Sequence, residues 1–400
     1  MWCRRRCACV TVTLDEVLEA DLVLLAEWER ELDGLDGLIG GRFSRREPRE
    51  SAVQYVKGLL SGVESRNGWT LAEAAGHGTP DRMQKLLRRA VWDEAGVRED
   101  LRGYVTANLG DPRGVLVFDE TGDIKQGSET VGVARQYTGV TGQVENCQVA
   151  VFAAYVSPKG HALVDTELYL PKDFALDAER CERAGVPAER RAVVVPKGEL
   201  AAVMFERAAA AGMVFDYVAG DEVYGRSGRL RAAIEAAGKG YVLEVPCDKH
   251  VSLPACTVRA DAAKDLVAAR SWELRSQGPG AKGLRYHAWA WMALDSGDCP
   301  EGWRRSLLIR RDRQADDQYA YFLCYHRRGV TLNELVEVAG RRWGVEESFA
   351  ICKSDAGLDQ HQVRRWRSWY RHTVLAMLAA AFLAVMRACV PANPSAWPTG

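Results

Sequence analysis

Acidic pairs recur at Asp119–Glu120, Asp221–Glu222 and Glu346–Glu347. The first closes the apolar run "VLVF" and the second follows "YVAG", so each ends a candidate buried strand. In an open sheet, functional groups gather beyond the carboxyl ends of the strands. Two such acids joined by a third from a helix would form a carboxylate cluster, and such a cluster does not stay fully ionised without compensating charge. A divalent cation supplies it. Mg²⁺ prefers a few carboxylates plus waters and phosphate oxygens. Two ions about 3.5–4 Å apart clamp the attacking and leaving oxygens of a phosphoryl transfer.

Each pair then has to be resolved. Strand alternation puts Asp119 on one side with Val115 and Val117, and Glu120 on the other, which does not choose between them. The third pair says more. Arg342, Glu346 and Lys353 lie at i, i+4 and i+11, within about 40° of one face of a helix, while Glu347 points away with Trp343. A carboxylate flanked by two cations on one stripe suits a site that holds metal and phosphate together. The same spacing also serves a surface ion-pair ladder.

The chain that must position these residues has 400 residues, 47% hydrophobic and 27% charged, an ordinary globular composition. Its formal net charge of −1 means that no global field draws it to nucleic acid, so DNA or RNA binding must rest on local patches. Eleven cysteines are mostly scattered singly, and Cys147, Cys181, Cys247, Cys324 and Cys352 read as reduced core thiols, which points to a reducing cytoplasm. Cys3, Cys7 and Cys9 form the one cluster, too few ligands at the wrong spacing for a metal site. The opening residues do not read as a signal peptide, because no long apolar run follows the arginines and Asp15 and Glu16 come soon after. The longest apolar run, Val374–Met386, is shorter than the roughly 18 residues of a membrane span and reads as a buried helix.

Residues 14–110 carry apolar positions at helical spacing, with a helix after Pro48 and another that Thr79 caps with Pro80 in its first turn. Arg82, Lys85, Arg88 and Arg89 line that helix, either as a solvated face or as a phosphate-binding one. From 114 the pattern changes. Strands are expected over 115–122, 145–157, 161–171, 215–225 and 240–246, with a hairpin turn at Pro158–Gly160 and helices near 176–185, 197–212 and 229–238. Thr121–Gly122 reads as the turn that ends the first strand. The order β-β-β-α-β-α-β implies an α/β fold, a mixed sheet with helices on its faces. Residues 251–330 read as a β-rich insertion, and 331–390 resume helix with Thr331 as a cap and Glu334 three residues on.

The blocks "VLVFDETG", "GVARQYTGVTGQVENCQVAVFAAYVSPKGHALVDTELYLP", "VAGDEVYG" and "RRWGVEESFAICKSDAGLDQHQVR", with "PRESAVQYVKGLLSGVESRNGWTLAE" near the start, resemble DDE transposases of the insertion sequence 701 type, close to the insertion sequence 4 superfamily. The resemblance runs in order over about residues 14–390. It implies an RNase H-like catalytic core with a mixed five-stranded sheet, a helical N-terminal DNA-binding region (14–110), a core in two parts (111–250 and 331–390) and a β-rich insertion (251–330) before the last catalytic helix. It implies Asp119, Asp221 and Glu346 as catalytic, metal-binding acids using two Mg²⁺ ions, with Mn²⁺ as a substitute. Arg342, Glu346 and Lys353 fit the superfamily's Tyr-(2)-Arg-(3)-Glu-(6)-Lys spacing; position 339, where the tyrosine belongs, is Ala. The implied reaction cuts DNA at the transposon end and transfers the freed 3′-hydroxyl into target DNA. Pairing two ends favours a homodimer on DNA, in a bacterial cytoplasm.

Local charge supports DNA contact. Arg342 and Lys353 are candidate phosphate contacts, and Arg364, Arg365, Arg367 and Arg371 interleave with Trp366, Trp369 and Tyr370, either as a strand-binding surface or as the outer face of a core helix. Arg304, Arg305, Arg310, Arg311 and Arg313, and Lys282 with Arg285 in a glycine-rich loop, are further basic stretches. The competing reading is a repurposed or C-terminally truncated, catalytically silent DNA-binding protein of the same fold, since "PANPSAWPTG" stops abruptly where the family often continues. An aspartyl-phosphate role for Asp119 needs other residues at 120 and 123, and a two-carboxylate glycosidase leaves Arg342 and Lys353 unexplained.

Overall fold

Val115–Phe118 are all buried to 1% exposure or less and begin strand β1 (Val115–Ile124) in the computed structural model, which describes residues 28–280, 283–312 and 318–389. Around it lie β2 (Ala134–Thr138), β3 (Gln143–Ser157), β4 (Gly160–Leu168), β5 (Tyr217–Gly220) and β6 (Gly240–Val245). β3 runs antiparallel to both β1 and β4, whereas β5 is parallel to β1 and β6 to β5. The five expected strands therefore form a mixed RNase H-like sheet in the order β4-β3-β1-β5-β6. Helices cover the sheet, which is why β3 reads as an unbroken apolar run rather than an alternating one. β2 pairs with Gln143–Cys147 at the start of β3 and has no apolar run to announce it.

The strands of the insertion extend this sheet. After a small ribbon of β7 (His250–Ser252) and β8 (Thr257–Arg259) come β9 (Glu273–Gly280), β10 (Gly283–Ala293), β11 (Trp303–Arg311) and β12 (Tyr319–Arg327). β12 pairs antiparallel with β6, and β11, β10 and β9 follow outward, so the sheet has ten strands in place of five. Tyr321–Tyr325 lie along Tyr241–Val245, covering an edge that would otherwise expose unpaired backbone.

The N-terminal layer is helical: α1 (28–39), α2 (Arg46–Leu60), α3 (Gly68–Ala74), α4 (Asp81–Arg88) and α5 (Glu94–Leu109). Next come α6 (Lys172–Ala175), α7 (Ala178–Ala184), α8 (Lys197–Ala210), α9 (Glu222–Gly225), α10 (Gly228–Ala236) and α11 (Ala260–Ala263). After the sheet follow α12 (Leu332–Arg341), α13 (Trp343–Ser354) and α14 (Trp366–Cys389). α14 is long and apolar enough to cross a membrane, yet it is mostly buried inside the protein, against β4, α5, α2 and α4. Its alanines let those elements approach closely while Phe382 and Leu375 fill the space between them.

Several local expectations need correction. β1 does not turn at Thr121–Gly122 but continues to Ile124, with Thr121 opposite Ala150 and Gly122 opposite Val149. Gly122 is there because a Cβ would collide with the Thr138 hydroxyl. The expected strand 215–225 stops at Gly220, because the Asp221 carboxylate accepts from the Val223 amide at 2.9 Å and starts α9. Pro80 occupies the N-cap of α4, and the Thr79 hydroxyl instead donates to Asp81. Thr331 and Glu334 do form a reciprocal capping box on α12. Cys147, Cys181, Cys324 and Cys352 are buried free thiols, but Cys247 is exposed just after β6. Cys3, Cys7, Cys9, Lys282 and Arg313 lie outside the described residues.

Candidate active site

The parallel register of β1 and β5 ends at Phe118 opposite Gly220, so Asp119 and Asp221 are the next residues on neighbouring strands, which run about 4.8 Å apart. The register between β5 and β6 ends at Gly220 opposite Leu243, which brings Glu244 to the same level on the third strand. Three neighbouring parallel strands thus each bring an acid to this level. The sequence reading missed Glu244 because it sits singly in "YVLEVP"; the rule that singled out Asp119 and Asp221 would have found it if applied to that strand as well.

α13 supplies the fourth acid. Arg342 donates from Nη1 to Asp119 Oδ2 at 3.3 Å and from Nη2 to Glu346 Oε1 at 3.0 Å. Asp221 and Glu244 also lie within its electrostatic reach, so one guanidinium faces four carboxylates. Lys353 donates from Nζ to Thr121 Oγ1 at 2.8 Å. The Arg342–Glu346–Lys353 stripe therefore faces β1 and is not a solvent ladder. α13 sits tightly on β3: a Cβ on Gly344 would lie 2.8 Å from Val156 Cγ1, and Phe349 meets Phe152 edge-on at 5.3 Å. Glu347 points the other way, 3.4 Å from His161.

Burial pushes the Asp119 carboxyl up to about 7 against the pull of Arg342, with Asp221 adding to the rise. Burial pushes Asp221 up to about 6, reinforced by Glu120 and Glu244. Glu244 is raised by burial too, opposed by Arg310 and Arg342. Burial works against the charge of Arg342, and the surrounding acids more than restore it. Such values mark carboxylates short of positive charge. Glu120 is held apart from this cluster's guanidinium. It accepts from Lys197 Nζ and from the Tyr224 hydroxyl, each at 2.6 Å. Lys197 and Tyr224 carry no sequence signal for this position.

Among the described residues, no three His, Cys, Asp or Glu side chains already stand as a metal cage, and Arg342 is interposed between Asp119 and Glu346. The donor set still fits a hard divalent cation, since it is all carboxylate oxygen, with Arg342 the one guanidinium that faces all four acids.

The remaining basic candidates are dispersed. Arg364 is exposed with no ion-pair partner among the described residues, while its carbonyl accepts from Val131. Arg365 donates to the Arg183 carbonyl, and Arg367 pairs with Glu94 at 3.3 Å. Arg371 is fully buried against Glu94 and the Leu86 and Trp92 carbonyls, so it is a structural residue. Trp369 is 3% exposed and edge-on to Tyr370, so its ring is not free for a base. Arg305 is tied to Glu235 and Asp298, and Lys85 to Glu47.

Acids at the ends of parallel strands, with another from a helix folded over them, are a phosphodiester-cleaving arrangement. A family model described as DDE superfamily endonuclease matches residues 40–272, more than half of the chain and including Asp119, Asp221 and Glu244; the chain belongs to this family of enzymes. It is similar to the probable transposase for insertion sequence element IS701 of Microchaete diplosiphon, 25% identical over 204 residues that cover 50% of each protein. The chain thus spans about half the length of that curated relative in the matched region.

Proposed function

We propose that the chain is a DNA transposase that cuts at the ends of a mobile element and transfers the freed 3′-hydroxyl into target DNA. The observation that carries this reading is the register that sets Asp119 beside Asp221 while Arg342 ties Glu346 to Asp119. Family membership supports divalent-metal dependence. Asp119, Asp221 and Glu346, assisted by Glu244, would hold Mg²⁺, as two ions, with Mn²⁺ able to substitute. When bound, the metal supplies an activated water or hydroxyl and neutralises the leaving oxygen.

The chain's own groups do the rest. Arg342 releases Asp119 and Glu346 and turns its fork to a phosphate, for which a guanidinium is suited. Lys353, at the Thr121 hydroxyl, holds a neighbouring phosphate. Glu120, pinned by Lys197 and Tyr224, fixes the end of β1 to α8 and α9. In this reading 14–110 bind DNA, 111–250 and 331–390 carry catalysis, and 251–330 widen the sheet. The partners are terminal repeats and target DNA, with the protein a homodimer on DNA in the bacterial cytoplasm.

The test is nicking of supercoiled or end-bearing DNA with Mg²⁺ or Mn²⁺. The wild type should cut, and Asp119→Ala, Asp221→Ala and Glu346→Ala should each abolish cutting while still binding DNA. Equal cutting by wild type and Asp119→Ala rejects the enzyme reading. Binding without cutting by the wild type favours the silent DNA-binding protein.

A further inference from the structure

Away from the carboxylates, a cleft of about 700 Å³ opens between α2–α4, α7 and the 360–368 segment that leads into α14. Six arginines line it, Arg66, Arg88, Arg180, Arg183, Arg364 and Arg365, against one acid, Glu129. Their charges are poorly matched within the protein. Arg66 is only 9% exposed, and its guanidinium donates to the Leu59 and Asp355 carbonyls. Carbonyls satisfy hydrogen bonds but do not neutralise a cation, and a buried charge without a counter-charge is costly. Room is kept for it by Gly357, at φ +61°, where a Cβ would lie 2.5 Å from Arg66 Cδ. Arg180 likewise donates to the Ser128 and Val133 carbonyls and lies over the Phe174 ring. Arg88 and Arg364 have no ion-pair partner among the described residues. Arg183 faces an acid, Glu179, at 3.7 Å on the exposed side of α7.

His361, 7% exposed, forms part of the cleft wall, with its Nε2 3.3 Å from Asp123 and its Nδ1 buried without a hydrogen-bond partner. The same residue also lines a separate crevice of about 20 Å³ with Lys353 and with Thr121, two residues along β1 from Asp119.

Its size falls within the range of small-ligand pockets, about 300–1,000 Å³, too small for a duplex and enough for a nucleotide or two. Met83, Leu87 and Val363 give it an apolar wall beside the cationic rim. A positively charged groove with apolar surface is how unpaired strands are gripped. We infer that this cleft holds the phosphates of an unpaired DNA strand. The inference rests on the reading of the chain as a DNA-cleaving enzyme and assigns that enzyme a non-catalytic grip.

The test uses the full chain in EDTA and fluorescence anisotropy across about 50–200 mM salt. One labelled duplex carries a short single-stranded tail, and a control duplex is blunt. For Arg88→Gln/Arg180→Gln/Arg364→Gln, affinity for the tailed duplex should fall about tenfold or more. Its salt slope should drop by about 2, as expected for three lost phosphate contacts on a single strand, with a clearly smaller loss for the blunt duplex. The exposed single variant Arg364→Glu should move the same way and keeps the test open if the triple variant folds poorly. Unchanged affinity and slope for the tailed duplex in both variants overturns the grip. Cleavage with Mn²⁺ at saturating DNA separates the two readings. A wild type that cuts no more than Asp119→Ala, while tail binding still depends on the arginines, fails as an enzyme and keeps the grip; intact cutting with unaltered tail binding does the reverse.

Discussion

At Arg342 a single guanidinium is shared between Asp119 of β1 and Glu346 of α13, with Asp221 and Glu244 close by. In the proposed function it stands where the divalent cation would bind. Replacing it should therefore act in opposite directions with and without metal. Arg342→Gln leaves two carboxylates facing each other uncompensated and should lower stability by about 1–2 kcal/mol, scaled down because the site is partly open to solvent. Added Mn²⁺ should then raise the melting temperature more in the variant than in wild type, since the metal no longer competes with the guanidinium. Thermal denaturation with and without Mn²⁺ reads both effects. A metal shift equal to or smaller than that of wild type would show that Arg342 and metal do not compete.

At the scale of elements, α13 determines where Glu346 stands, and Gly344 determines where α13 sits. A methyl at 344 would press on Val156 Cγ1, and the packed sheet beneath leaves α13 to move. Gly344→Ala should cost about 1–3 kcal/mol and reduce metal-dependent cleavage by about tenfold or more through a shifted Glu346. Val156→Ala in the same chain should restore much of the cleavage by making room. Cleavage kinetics of the single and double variants check this, and an undiminished Gly344→Ala enzyme means that the seat of α13 does not set the acid. The strand ends follow the same logic. β5 stops where it does because Asp221 caps α9, which leaves that carboxylate at the sheet's end beside Asp119.

At the scale of the whole molecule, the N-terminal helices are locked to the C-terminal helix through His372. The Tyr55 hydroxyl donates to its Nδ1 at 2.9 Å, and its Nε2 faces the Gly357 and Leu358 carbonyls at 3.2 and 3.3 Å. A neutral ring satisfies all of these, and burial holds its pKa down to about 4. The unfolded chain takes up this proton near 6.5, so stability from this group is complete above that pH and is lost as pH falls toward about 4. His361, its ring 5.0 Å away, is also held down by burial, and Lys125 adds positive charge nearby. Asp119, Asp221 and Asp123, raised by burial, act in the opposite direction in the same range. The clean measurement is therefore a difference. His372→Asn should be less stable than wild type at pH 7.5, by about 1–2 kcal/mol for the lost buried hydrogen bonds, and the gap should close as pH approaches 4. Urea unfolding at several pH values checks it; a gap independent of pH means that the ring does not stay neutral in the folded state.

The apolar runs ending in acids, the hairpin at Pro158–Gly160, the Thr331 cap and the helical stripe of Arg342, Glu346 and Lys353 were legible because each is a local pattern of side chains on one element. Such patterns announced the five core strands, the buried helix over 374–386 and the residues to watch. What they could not supply was register. Whether Asp119 or Glu120 faces Asp221 depends on how β1 meets β5, and alternation alone permits either. That Glu244 stands level with Asp221 became visible only from the register of β6 against β5. The same holds for the insertion: its strands were evident, but that β12 would join β6 and carry the sheet to ten strands depended on a free edge elsewhere in the chain. The arginines of the cleft are scattered from 66 to 365 in sequence, and of them only Arg88, Arg364 and Arg365 stood out there, in two separate basic stretches. Folding gathers them around one space, because which charges become neighbours is decided by the packing of helices far apart along the chain, and no local spacing encodes that.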